Sequence, residues 1–295
     1  MTTEAAALSR PRSRLGDFFA LTKPRLNSLV VVTAGVGYLA GRSGPFDPVS
    51  FFHATVGAAL VAGGAAALNQ VLERDLDARM LRTQDRPIPS GRLRSTEAIW
   101  AALALALTGL VQLALGASLT ASIVALATLL SYVAVYTPLK RVTHWALLGG
   151  AVPGALPVVI GWAAVAPLSP GAWALFAVVF VWQLPHFLAL TWLFQEDFAR
   201  ANLPLLSLTD RSGRRTATHM LVYAALLIPV SATPTWYGVA GTTCAIGAAA
   251  MSVVLFALGV RFAGGRSTDR ARLVFRATLV YLPIAWVLLL VDRVG

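Results

Sequence analysis

Long apolar runs separated by short polar stretches occupy the chain from residue 26 to residue 291. Nine of them predict membrane-spanning helices: Leu26–Gly41, Phe51–Leu72, Ala98–Leu115, Leu119–Thr137, Trp145–Ala166, Gly171–Phe194, Thr216–Ala232, Gly238–Val260 and Leu273–Val291. Each lies near the ~20 apolar residues that a bilayer crossing requires. A membrane β-barrel would alternate apolar and polar residues, and these runs do not. Many are rich in Ala and Gly, which lets helices pack closely in lipid. The expected fold is all-α and polytopic: nine transmembrane helices joined by short loops. Residues 1–20 read as a flexible polar segment and residues 21–295 as a single transmembrane domain. The segment before Leu26 lacks an apolar core followed by a cleavage site, so no signal peptide is expected.

Composition agrees with the pattern. Of 295 residues, 57% are hydrophobic and 13% charged, against about 25% charged in soluble domains. Mean hydropathy is +0.70. A soluble globule could not hide so much apolar surface, and a disordered chain would not carry it. The lone cysteine, Cys244, excludes a disulfide framework, an iron–sulfur cluster and a cysteine-based zinc site, and reads as a small core residue.

A net charge of +11 would suggest nucleic acid, but its distribution does not. With nine spans, all 24 Lys and Arg except Arg42 and Arg293 fall on one side of the membrane. That asymmetry places the N-terminus and the long loops in the cytoplasm, with a cell inner (plasma) membrane as the expected location. Of the 13 Asp and Glu, all but Asp47 and Asp292 lie on the same side, which the topology rule does not demand. Acidic residues gathered among Arg and Lys on one membrane face point to a site for a metal plus a polyanion.

The richest stretch follows the second span. Asn69, Glu73 and Asp77 are spaced i, i+4, i+8, so one helical face carries all three at the membrane rim. Three oxygen donors in a row suit a hard cation, and magnesium commonly joins carboxylates to substrate phosphates. Downstream stand Arg79, Arg82, Arg86, Arg92 and Arg94, and guanidiniums bind phosphate oxygens in pairs. The alternative, a solvated loop of mutually neutralising charges, is disfavoured by Asn69. It sits in an apolar run, where a polar residue is costly. A second acidic site, Glu196-Asp197, follows the sixth span, and Tyr136-Thr-Pro-Leu-Lys140-Arg141 follows the fourth. Facing acidic loops would hold metal, and Lys140 and Arg141 would neutralise a leaving diphosphate.

At these residues the chain resembles the UbiA superfamily of intramembrane prenyltransferases. Asn69, Glu73 and Asp77 match its Asn-x-x-x-Asp/Glu-x-x-x-Asp motif, and Tyr136 with Lys140 matches its Tyr-x-x-x-Lys motif. Its heme-farnesylating branch is resembled more narrowly. The matching segments are Thr22-Lys23-Pro24-Arg25, Met80-x-Arg82-Thr83-x-x-Arg86-Pro87 and Pro153-Gly154-Ala155-Leu156-Pro157. The most specific is Trp182-Gln183-Leu184-Pro185-His186-Phe187, followed by Glu196-Asp197-Phe198. The resemblance covers about residues 20 to 290. The second acidic motif is sparser here than in members acting on quinone precursors.

The resemblance implies nine helices around a central cavity opening toward the cytoplasm. It implies a reaction in which farnesyl diphosphate, protoheme and water give heme O and diphosphate, with magnesium as the metal. Metal ligands are then Asn69, Glu73, Asp77 and Asp197. Lys23, Arg25, Arg82, Arg86, Lys140 and Arg141 bind diphosphate. His186, Trp182, Gln183 and Tyr136 face the acceptor. Heme A synthase becomes an expected partner. His186 is an ionisable residue within a span, next to Pro185, which loosens the helix and aims the ring inward. Imidazole is a common heme-iron ligand. His53, His144 and His219 read as interfacial. Three other functions compete: the same fold acting on a quinone precursor or pigment, a transporter, and a non-catalytic assembly factor for a terminal oxidase. The Trp-Gln-x-Pro-His-Phe segment disfavours the first. Ionisable residues at the rim rather than the midplane disfavour the second.

Overall fold

The structure, a computed structural model, describes residues 13–294. The N-terminal positions Arg10 and Arg12, counted above in the charge asymmetry, lie outside the described residues, as do residues 1–12 of the segment expected to be flexible. Its remainder differs from the expectation. Ser13 caps a helix, α1 (Arg14–Leu21), whose Leu21 is buried against Ala67, Ile88 and Leu93. Asp17 of α1 is paired with Arg92 at 3.0 Å. The ion pair, with Leu21 buried at the first residue of the expected transmembrane domain, docks residues 14–20 that the sequence presented as a polar segment.

The long helices follow in order: α2 (Pro24–Gly41), α3 (Pro48–Leu72), the short α4 (Arg74–Asp77), α5 (Ser95–Gly116) and α6 (Leu119–Leu130). After α6 the chain passes through a π-helical segment (Ser131–Tyr136) into α7 (Thr137–Leu139). Then come α8 (Ala146–Ala163), α9 (Pro170–Leu193), α10 (Gln195–Arg200), α11 (Leu206–Thr209) and α12 (Arg214–Val230). The last are α13 (Thr233–Trp236), α14 (Thr242–Gly265) and α15 (Thr268–Val291). Among the described residues, eight helices are long and apolar enough to cross a membrane. They include Leu119–Leu139 taken as one continuous span. The ninth expected span, α2, is not among the eight. Its first two turns hold Arg25, Asn27 and Ser28, which lower its apolarity.

The central helices are α8 and α9, whereas α5, α6 and α14 turn large apolar side chains outward. Leu103, Leu107, Leu115, Ile123, Ile246 and Val254 are exposed, as helices facing lipid acyl chains require. α2 and α8 cross in close contact. A Cβ on Gly37 would collide with the Val158 carbonyl, and one on Gly161 with the Ala34 carbonyl. These glycines let two backbones touch.

Charged loops and short helices gather at the end of the bundle where α3, α6–α7 and α9 finish and α2, α5, α8 and α12 begin. At the opposite end Asp47 caps α3 through the amides of Val49 and Ser50, at 2.9 and 3.2 Å. Arg293 there donates to the carbonyl of Leu39 at 2.7 Å, tying α15 to α2.

Candidate active site

A cavity of about 500 Å³ runs inward from the charged end between α2, α3, the π segment, α8, α9 and α12. Its mouth is polar, lined by Lys23, Asn69, Glu73, Asp77, Arg82, Arg86 and Lys140. Its depth is apolar, lined by residues such as Leu29, Val30, Val61, Ile160 and Val179.

The three expected metal ligands are all buried, Asn69 at 2%, Glu73 at 3% and Asp77 at 0% exposure. They do not share one unbroken helix. α3 ends at Leu72, Glu73 has φ −100° and ψ 8°, and Asp77 ends α4. The i→i−4 hydrogen bonds nevertheless continue across the break, Glu73 N–H to Asn69 at 2.9 Å and Asp77 N–H to Glu73 at 2.8 Å. Helical spacing survives, so the three side chains still point into one mouth.

Each of the three holds a cationic side chain. Lys23 Nζ donates to Asn69 Oδ1 at 2.7 Å. Lys140 pairs with Glu73. Arg86 Nη1 donates to Asp77 Oδ2 at 2.7 Å. The remaining Asp77 oxygen, Oδ1, is buried with no hydrogen-bond partner, an arrangement that costs ~1–3 kcal/mol unless something fills it. Lys23 reaches the mouth from a left-handed backbone position, φ 48°, at the start of α2. Burial, with Arg86 nearby, pushes its pKa down to about 7. Arg82 is likewise pulled below the usual guanidinium value, first by burial and then by Arg86. Its guanidinium lies over the Phe194 ring, 5.5 Å from the centroid.

Thr137 orients the Asn69 amide. Its hydroxyl donates to the carbonyl of Tyr132 at 2.8 Å. The hydroxyl has a single proton, so at 3.2 Å it accepts from Asn69 Nδ2. Asn69 Oδ1 is thereby turned to the mouth. The π segment makes this possible by shifting the register between Ser131 and Tyr136. It also turns Tyr132 and Tyr136 toward the cavity, and Lys140 Nζ stands 5.7 Å from the Tyr136 ring centroid. Thr137 and Tyr132 were not singled out by the sequence reading. Thr137 lies inside the Tyr-x-x-x-Lys motif, which was the available signal.

Three expected site residues lie elsewhere. Arg25 is exposed and does not line the cavity; on α2 the cavity is faced by Leu26, Asn27, Leu29 and Val30, and Arg25 falls off that face. Arg141 donates to the Leu72 carbonyl at the end of α3, where a guanidinium satisfies an otherwise unpaired helix terminus. Asp197 accepts from the backbone amides of Leu81 and Arg82 at 3.0 and 3.2 Å. With both oxygens on backbone it braces the arginine loop and does not join Asn69, Glu73 and Asp77. Of the other arginines in that stretch, Arg92 pairs with Asp17 and donates to the Asp85 carbonyl, leaving Arg82 and Arg86 at the mouth.

The expected acceptor-side residues converge. Trp182, Gln183 and His186 line the cavity from α9. Trp182 Nε1 donates to the Thr278 carbonyl at 2.9 Å, and Gln183 Nε2 to the Ala151 carbonyl at 2.8 Å, so both also brace α9 against its neighbours. The His186 ring stacks between Trp182 and Phe275, with centroids 5.5 and 4.8 Å away. His144 and His219, read as interfacial, also line the cavity, at its rim with Trp145 and Tyr223.

Residues 30–287 match the UbiA prenyltransferase family. The chain belongs to this family. It is 40% identical over 289 residues to the protoheme IX farnesyltransferase of Solibacter usitatus, covering 95% of this chain and 99% of the relative. In fold it is similar to a digeranylgeranylglyceryl phosphate synthase, with a TM-score of 0.79 at 16% identity over 94% of this chain and 98% of that one. A UbiA homolog from Archaeoglobus fulgidus bound to GPP and Mg2+ gives a TM-score of 0.68 at 13% identity, over 92% and 99% of the two chains. At these identities the two structures speak for the fold alone.

Proposed function

We propose that this UbiA-family prenyltransferase is a protoheme IX farnesyltransferase, transferring the farnesyl group of farnesyl diphosphate to a vinyl group of protoheme, with water, to give heme O. The observation that carries this is the division of the cavity. A mouth of two carboxylates, an amide and four cations opens into an apolar interior faced by aromatic rings. A diphosphate with a long hydrocarbon tail has the same division. The relative named above, 40% identical over nearly its whole length, gives the acceptor.

The residues at the mouth fit magnesium. The donors are all oxygens, and Asp77 Oδ1 is buried and unpartnered. Asn69, Glu73 and Asp77 would hold the ion. Bound there, magnesium supplies a Lewis acid that withdraws charge from diphosphate oxygens.

The protein's own groups do the rest. While no diphosphate is bound, Arg86 and Lys140 neutralise the carboxylates of Asp77 and Glu73 and Lys23 donates to the Asn69 carboxamide; all three exchange onto the diphosphate oxygens when it arrives. Charges fixed beforehand lower the cost of the bond that breaks, between farnesyl C1 and the diphosphate oxygen. The allylic carbon left behind is positive. Apolar walls keep water from it, and the rings of Tyr132, Tyr136, Trp182 and Phe187 offer it their faces. A vinyl carbon of the porphyrin forms the new carbon–carbon bond. Water then adds to the adjacent carbon and loses a proton, leaving the hydroxyl of the product. In this reading the protein lies in the plasma membrane with the charged end facing the cytoplasm.

The test is the heme profile of cells that lack their own heme O-forming enzyme and express this chain. Wild type should yield heme O, and Asp77→Asn should lower it by ~100-fold or more while the protein still accumulates in the membrane. Comparable heme O from the variant would remove the assignment.

A further inference from the structure

Behind the cavity wall, against His186, lies a residue that no motif marks. Thr278 of α15 is fully buried, at 0% exposure. Its hydroxyl donates to the carbonyl of Phe275, one turn earlier, at 2.6 Å. A carbonyl can only accept, and a hydroxyl has one proton to give. The hydroxyl oxygen also lies 2.9 Å from His186 Nδ1. With its proton committed to Phe275, it meets Nδ1 as an acceptor. The proton on the neutral His186 ring therefore sits on Nδ1, and Nε2 carries the lone pair.

Two further contacts fix the ring. Trp182, one turn before His186 on α9, donates to the Thr278 carbonyl, so neighbouring positions of α9 grip the same residue of α15. Trp182 and Phe275 cover the two ring faces. With both faces stacked and Nδ1 held on α15, the Nε2 edge is left for the cavity that His186 lines.

We propose that Thr278 is a positioning residue: it sets the tautomer of His186 so that an unprotonated Nε2 is presented to the acceptor as a ligand for the porphyrin iron. This rests on the reading that protoheme is the acceptor. The chemistry is that of a metal-bound histidine whose other nitrogen is held by a protein oxygen. Loss of such an outer partner typically weakens metal binding by about 10–100-fold. Here the outer partner is a hydroxyl primed by its own helix, with no carboxylate involved.

The experiment uses the purified full-length protein in detergent, titrated with ferric heme and followed through the Soret band. The variants are Thr278→Val, which keeps shape but cannot accept, Thr278→Ser, which keeps the hydroxyl, and His186→Ala. Thr278→Val should weaken heme binding about tenfold or more and move the Soret band toward that of His186→Ala. Thr278→Ser should stay near wild type. Farnesyl diphosphate affinity should be unchanged in all three, which a general packing defect would not permit.

A readout on the wild-type chain needs no variant to fold. Nitrogen NMR of 15N-histidine-labelled protein should place the His186 proton on Nδ1. Finding it on Nε2 overturns the proposal. If His186→Ala changes the spectrum and Thr278→Val does not, Thr278 has no positioning role and the acceptor reading stands. If His186→Ala leaves the heme complex intact, the iron-ligand assignment falls, and the Thr278 proposal with it. A wild-type chain that binds no heme would remove the acceptor reading itself.

Discussion

Asp77 and Asp197 are both acidic side chains near the arginine loop, yet they face opposite requirements. Asp77 is wholly buried, gives one oxygen to Arg86 and leaves the other without a partner. Such a group stays ready to bind an incoming cation. Asp197 has both oxygens on backbone amides, so a metal would have to take them from Leu81 and Arg82. Asp197→Ala should therefore lower the thermal midpoint and reduce activity through a loosened Arg82 loop, while the magnesium concentration for half-maximal rate stays within about twofold of wild type. A magnesium titration decides it: a requirement raised tenfold or more would return Asp197 to the metal site. Spacing alone could not separate these roles. The motif predicted Asn69, Glu73 and Asp77 because residues i, i+4 and i+8 share a face whatever surrounds them. Asp197 and Arg141 were expected at the site from charge near the membrane rim, and Arg25 from the resemblance; local geometry directs all three elsewhere.

At the scale of elements, departures from regular helix build the mouth. The break at Glu73 and the π segment before Thr137 place Asn69 against Thr137 and Lys140 against Glu73. The site also depends on how near α2 lies to α8, since Lys23 is carried at the start of α2 and the cavity is walled by both. Gly161 sets that distance, because a side chain there would strike the Ala34 carbonyl. Gly161→Leu should push the helices apart and destabilise the protein by ~1–3 kcal/mol or more, with activity falling alongside. Thermal unfolding in detergent checks this, and an unchanged midpoint would show that the crossing is not limiting. Hydropathy found the spans because burial in lipid acts on long stretches. The short polar elements escaped it, and α1 was read as flexible because its docking depends on Asp17 meeting Arg92 across the fold.

Across the whole molecule, charge gathers at one end, with only Arg42, Asp47, Asp292 and Arg293 at the other, and apolar side chains face outward between them. A cysteine at Gln84, an exposed position in the arginine loop, introduced into a Cys244→Ser background should react with an impermeant reagent only from the cytoplasmic side. Reaction from outside would invert the orientation. Charge asymmetry across nine apolar runs was enough to predict the membrane, the helices and the face that holds the site, since each reflects the cost of placing charge in hydrocarbon, a property of composition along the chain. The partners of each charge were another matter. Lys23 meets Asn69, Lys140 meets Glu73, and Thr278 meets His186 from 92 residues away. Hydrogen bonds and ion pairs act over about 3 Å, so only the packing of the helices decides which side chains come within reach.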